Sequence, residues 1–129
     1  MIQDDAVASE VLAANLGFYD AFGSLDIEKM DSVWENSDRV LCIHPGWRLI
    51  TGWDEVRKSW EGIFRDTSLM HFNITGAQVV VQGDCAWVSC VENITSVVDG
   101  RASDFGVRAT NVFVRGEGAW RMVHHHASA

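Results

Sequence analysis

A single proline and only three cysteines stand among the 129 residues of this chain. With so little proline and 11 glycines, there is no material for a collagen-like, mucin-like or long disordered segment. Cys42, Cys85 and Cys90 are odd in number and lie in apolar, strand-like runs without the short paired spacing of a zinc knuckle or redox motif. They read as reduced core thiols, since no basic neighbour in sequence lowers their pKa. Positive charge is also scarce: ten Lys and Arg oppose 18 Asp and Glu, for a formal net charge of −8. That field repels phosphate backbones and anionic lipid, which argues against nucleic acid and membrane surfaces as partners. No apolar run approaches the ~20 residues of a membrane span. The opening MIQDDAVASEVL carries acid where a secretory signal carries Lys or Arg, so a cytoplasmic location is expected. Glycine-rich phosphate loops, dinucleotide fingerprints and nucleophile constellations are missing as well, so any chemistry is expected to be cofactor-free and non-covalent.

What the chain does have is ordinary globular composition, 47% hydrophobic and 22% charged, with six tryptophans. Its length suits one domain over residues 1–129, with no repeat or low-complexity stretch to suggest a second. Val7, Val11, Ala14, Phe18 and Ala21 recur at helical spacing, with Leu12, Leu16 and Tyr19 widening the stripe, and predict a helix over 5–22 that ends at Gly23. Asp26 is placed to cap a second helix presenting Ile27, Met30, Val33 and Trp34. A short buried strand, Val40 to His44, is stopped by Pro45-Gly46. Thr51-Gly52-Trp53-Asp54 reads as a capping box opening a third helix, whose stripe is Trp53, Val56, Trp60 and Ile63. Thereafter the period changes to two. Segments 69–82, 85–98, 107–115 and 119–126 are strand-like, separated by the hairpin chemistries Gly83-Asp84, Asp99-Gly100 and Gly116-Glu117-Gly118. Three helices followed by long antiparallel strands make an α+β pattern.

Both faces of segment 85–98 carry apolar side chains: Trp87, Val91 and Val97 on one parity, Val88, Ile94 and Val98 on the other. One face packs on the helices, and the second is expected to be covered in a homodimer through the outer sheet face.

The motifs Ile43-His44-Pro45-Gly46-Trp47, Gly52-Trp53 to Trp60, and the last strand Trp120 to Ser128 together resemble the SnoaL-like, ketosteroid-isomerase-like superfamily, whose relatives include nuclear transport factor-type and kinase association domains. The resemblance covers nearly the whole chain. It implies a cystatin-like cone, with three N-terminal helices packed on a strongly curved, mainly antiparallel sheet around a ligand pocket. It also implies that Phe18 stands where a ketosteroid isomerase has its oxyanion-hole tyrosine, Val107 where it has a protonated aspartate, and His44 where it has the general-base aspartate. Without those donors steroid isomerisation by that mechanism is not expected.

His44 has two readings, a general base titrating near neutrality or a structural histidine bonded to backbone. Glu92 shares its parity with Cys90 and Ile94. There a buried carboxylate must pair or titrate upward, whereas a glutamate at a wet cleft or dimer edge would do neither. Asn111 matches a polar pocket position of the family and could orient a carbonyl. Strict alternation puts His124 and His126 on the face of Trp120 and Met122, and His125 on the other. His44, His124 and His126 could form a three-imidazole zinc site, but nothing else in the sequence supports one, and no metal is expected. Trp34 and Trp87 read as packing residues. Trp47, Trp53 and Trp60 read as pocket walls with Phe18, Met70 and Val107, suited to an apolar or aromatic small molecule. Two function classes follow: an isomerase, cyclase or hydro-lyase acting on an apolar carbonyl compound with His44 as general base, or a non-catalytic binding or oligomerisation module.

Overall fold

The computed structural model describes residues 5–129, so the first four residues of the acidic opening lie outside the described residues. Helix α1 spans Asp5–Ser24 and turns its Val11, Phe18, Ala21 and Phe22 stripe inward, as the spacing requires. It runs one residue past Gly23. The left-handed position is taken by Leu25 at φ 58°, while a Cβ on Gly23 would come within 3.2 Å of the Met70 carbonyl. Gly23 therefore permits a close approach of helix to sheet instead of ending the helix. Helix α2, Ile27–Val33, is capped by Asp26, which accepts from the Glu28 amide at 2.9 Å.

Strand β1 is Leu41–Ile43 and β2 is Ile50–Thr51. Helix α3, Trp53–Asp66, buries Trp53, Val56 and Trp60. The expected capping box is absent: Thr51 belongs to β2, Gly52 occupies the cap at φ 81°, and no side chain bonds the first turn. The Trp53 amide donates instead to the Ser37 carbonyl at 2.9 Å, a distant backbone partner that sequence alone does not show.

The long strands are β3 Thr67–Gln82, β4 Cys85–Val98, β5 Arg101–Gly116 and β6 Ala119–Ser128. They make a six-stranded sheet in the order β2-β1-β6-β5-β4-β3, antiparallel except where β1 runs parallel to β6. The α+β expectation holds. Strand β5 begins six residues earlier than its apolar pattern, because Arg101 to Gly106 are exposed yet still pair with β4. The turns at Asp99-Gly100 and Glu117-Gly118 each place both residues at positive φ, the geometry that matches a two-residue hairpin to strand twist.

Irregular register appears at Thr67/Leu69 and Thr75/Gln78 in β3 and opposite Val112/Phe113 in β6. Such bulges bend strands, and α1 lies against the inner face of this sheet. Ala86, Val88, Cys90, Glu92, Ile94 and Ser96 of β4 all point to that face. Trp87 does not pack in the core of the chain. It stands 37% exposed on the outer face, in one row with Val80, Val112 and His124.

Candidate functional site

The β6 bulge decides which histidine reaches the interior. Val112 pairs with His124 but Phe113 pairs with Met122, so Val123 is an extra residue and side-chain parity reverses across it. Met122, His125 and Ala127 therefore face inward, His124 is half-buried and His126 exposed. This corrects the alternation that put His124 and His126 in the pocket, and it also separates them from His44. Parallel pairing then sets His125 beside Cys42, and His44, one pleat further along, lies on the same side. The two imidazole centroids are 6.5 Å apart.

These groups close one end of an apolar cavity of about 480 Å³ between α1, α3 and the sheet. Phe22, Ile63, Met70, Ile94, Val98 and Phe105 form its apolar walls, and half-exposed Trp47 stands at its edge. His44, His125, Glu92, Asp66 and Thr67 are its titratable or hydroxyl-bearing side chains, and no Lys or Arg lines it. His44, Glu92, Met70 and Trp47 all line this one cavity. Phe18, Trp53, Trp60, Val107 and Asn111 are buried behind the lining. Trp60 packs edge-on to His44 at 4.6 Å and Phe18 tilts against His125 at 4.9 Å, while Trp53 lies against Trp34 at 5.6 Å. Phe18 of α1 and Trp53 and Trp60 of α3 belong to helix stripes that fill the core, which is why helical spacing alone could not separate wall from core.

Behind the cavity runs a polar chain. The Tyr19 hydroxyl donates to Glu92 Oε2 at 2.5 Å and accepts from Asn111 Nδ2 at 3.0 Å. The second Asn111 amide hydrogen goes to Asn15 Oδ1 at 2.8 Å, and Asn111 Oδ1 lies 2.6 Å from His125 Nδ1. Because both Asn111 hydrogens are committed, its oxygen must accept, and His125 carries its proton on Nδ1. Asn111 is therefore a positioning residue for His125 and does not itself reach the cavity. Tyr19, Asn15 and His125 were not singled out in the sequence. The signal that existed was Asn15 in the same helical stripe as Val11 and Phe18, with Tyr19 four residues on: a buried amide requires partners.

Burial raises the Glu92 carboxyl to about 7, against the opposing effect of the Tyr19 hydrogen bond. Burial lowers His44 to about 4. His125 is pushed well below its ordinary value by burial first and by neighbouring imidazoles, His44 foremost, second. Burial, with Glu92 nearby, also holds Cys42 as a thiol. The site at neutral pH thus contains two neutral imidazoles and one carboxyl that exchanges its proton near pH 7. Such a carboxyl and such imidazoles are groups able to donate and to accept a proton near neutral pH. Among the described residues, no group of three or more His, Cys, Asp or Glu is placed to hold a metal ion, and no helix is long and apolar enough to cross a membrane.

Comparison with known proteins agrees with this architecture. A crystal structure of a dehydratase candidate of the NTF2-like family from Streptomyces avermitilis is 38% identical, with 96% of each chain covered and a TM-score of 0.90. A candidate calcium/calmodulin-dependent protein kinase type II association domain from Thiobacillus denitrificans is 32% identical, covers 90% of this chain and 91% of its own, and has a TM-score of 0.80. The F-box protein SKIP8 of Arabidopsis thaliana is 32% identical over 123 residues, 95% of this chain, and the chain spans about half, 51%, of that relative's length. Residues 11–129 match the SnoaL-like domain, so the chain belongs to the SnoaL-like family within the NTF2-like superfamily.

Proposed function

We propose that the cavity binds a small, mostly apolar carbonyl compound and moves a proton next to the carbonyl, as a cofactor-free isomerase, cyclase or hydro-lyase. The observation that carries this reading is Glu92, a carboxyl titrating at about 7 in an apolar cavity that it shares with neutral His44. In its protonated form Glu92 donates to the carbonyl oxygen while His44 removes the α proton, giving a neutral enol. No enolate forms, and the one new anion, the Glu92 carboxylate, keeps the Tyr19 hydrogen bond, which suits a cavity whose lining has no Lys or Arg. The new imidazolium and the new carboxylate share the cavity, so the step separates no net charge from the site. Where the substrate carries a β-hydroxyl, the enol electrons form the new C=C bond as the C–O bond breaks. The proton on His44 leaves with the hydroxyl as water, and the carbonyl proton returns to Glu92.

The dehydratase assignment of the Streptomyces relative supports the hydro-lyase branch. The protein is taken as cytoplasmic, acting as a homodimer through its outer sheet face. The other reading, a non-catalytic binding or oligomerisation module, is favoured by the 32% identity to an association-domain candidate.

Proton-to-deuterium exchange at the α carbon of small hydroxyketones, followed by NMR in D₂O, separates the two. Glu92→Gln and His44→Gln should each slow exchange by ~10²-fold, and the wild-type rate should fall above pH 7 as Glu92 loses its proton. A rate that rises through pH 7 and survives Glu92→Gln overturns the acid role. Binding without exchange across the set leaves the non-catalytic module.

A further inference from the structure

The hydrogen-bond polarity of the cavity restricts its ligand further, on the reading that this cavity is the ligand site. His44, His125 and Thr67 at the inner end have already spent their protons on the protein. The Ser59 hydroxyl donates to the Val56 carbonyl at 2.6 Å, so in its 2.9 Å contact with His44 it can only accept, and His44 carries its proton on Nε2. His44 is left with the lone pair of Nδ1, whose one protein neighbour among the described residues is the weak donor Cys42 Sγ at 3.9 Å. His125 donates from Nδ1 to Asn111, leaving the lone pair of Nε2. Thr67 donates its hydroxyl to the Ile63 carbonyl at 2.6 Å, and that oxygen too retains only acceptor capacity. Asp66 accepts. The remaining side-chain donors are Glu92, when protonated, and the indole N–H of Trp47 at the edge.

From this pattern we infer that the cavity selects an uncharged ligand bearing at least two hydroxyl donors on an apolar frame, and rejects carboxylates and phosphates. A ligand that offered only acceptors could pair with protonated Glu92 or Trp47 but would leave the lone pairs of His44, His125 and Thr67 unpaired. An anion would meet Glu92 and Asp66 with no Lys or Arg in the lining to neutralise it. Two hydroxyls, by contrast, can satisfy His44 and His125 together, whose rings stand 6.5 Å apart.

A matched probe series tests this by isothermal titration calorimetry at pH 7: 4-hexylresorcinol, its monomethyl and dimethyl ethers, and 4-hexylbenzoate. The diol should bind at least about tenfold more tightly than the dimethyl ether, with the monoether between them and the benzoate weakest. Ser59→Ala frees the His44 proton to move to Nδ1, so the diol-to-diether ratio should shrink by about threefold or more with the melting temperature little changed. Ser59→Thr, which keeps the hydroxyl, should retain the wild-type ratio. A flat series, or a benzoate that binds best, overturns the inference while leaving the cavity as a ligand site. No binding by any probe at millimolar concentration overturns both.

Discussion

Replacing Glu92 by Gln removes a carboxyl titration that burial forces upward, and its effect on stability should reverse in sign with pH. The folded carboxyl holds its proton to about pH 7 against an ordinary 4.5, so between those values the folded chain binds more protons than the unfolded one. Stability from this group is intact below about 4.5 and falls as pH rises through 7. At ~1.4 kcal/mol for each tenfold change in proton affinity, the full cost above pH 8 is about 3 kcal/mol. Gln carries no such cost. Its carbonyl can still accept from Tyr19, while its amide hydrogens enter an apolar cavity without a partner, at roughly 1–2 kcal/mol at every pH. Relative to wild type, the variant should thus be less stable at pH 5 and more stable at pH 8, the difference changing by about 2–3 kcal/mol across that range. His44 titrates the opposite way: its folded value is about 4, so the stability it contributes is lost as pH falls from 6.5 towards 4. Both proteins share that loss, so it cancels in the comparison. Melting followed by near-ultraviolet circular dichroism should show the gap in Tm moving by roughly 10 °C for a chain of this size. A gap that is the same at pH 5 and pH 8 would mean that Glu92 titrates normally, and would refute the acid role built on it.

Asn111→Leu would orphan the Asn15 carbonyl, one acceptor site of Tyr19 and the His125 ring proton at once. It should cost at least about 3 kcal/mol in urea unfolding, whereas Asn111→Asp should cost less by keeping an acceptor for His125. Light scattering should give twice the monomer mass, and Trp87→Glu, placed in the row of Val80, Val112 and His124, should shift the protein toward monomer without lowering helical content. A monomeric wild type at high concentration would refute the outer-face interface.

Periodicity made the element order legible because it reports burial, and burial is what α1, α3 and β4 share with their sequence patterns. It was blind where backbone carries the interaction. The cap of α3 is supplied by the Ser37 carbonyl, and the start of β5 is held by pairing of exposed residues. The site was half legible. His44 and Glu92 stand out as polar residues in apolar strands, but the His124, His125, His126 run has three equivalent members until one extra residue in β6 selects the middle one. A bulge leaves no mark in the alternation of types at that point, since Met122 and Val123 are both apolar. Tyr19 was placed on the flank of a hydrophobic stripe, and its hydroxyl acquired a role only once β4 had brought Glu92 beneath it.

The parallel pairing of β1 with β6 predicts an order of events during folding. Leu41 bonds alongside His124, so the short strand that carries Cys42 and leads into His44 has only the two-residue β2 beside it until β6 joins the sheet. Hairpins of neighbouring strands close early because their loops are short, while the β1 contact spans most of the chain and must wait for them. The cavity is consequently expected to be the last part of the molecule to be assembled. A nascent or partly unfolded chain can hold most of its sheet and still have no site, and the loss of ligand binding should precede the loss of sheet signal when β1 is the first element to detach.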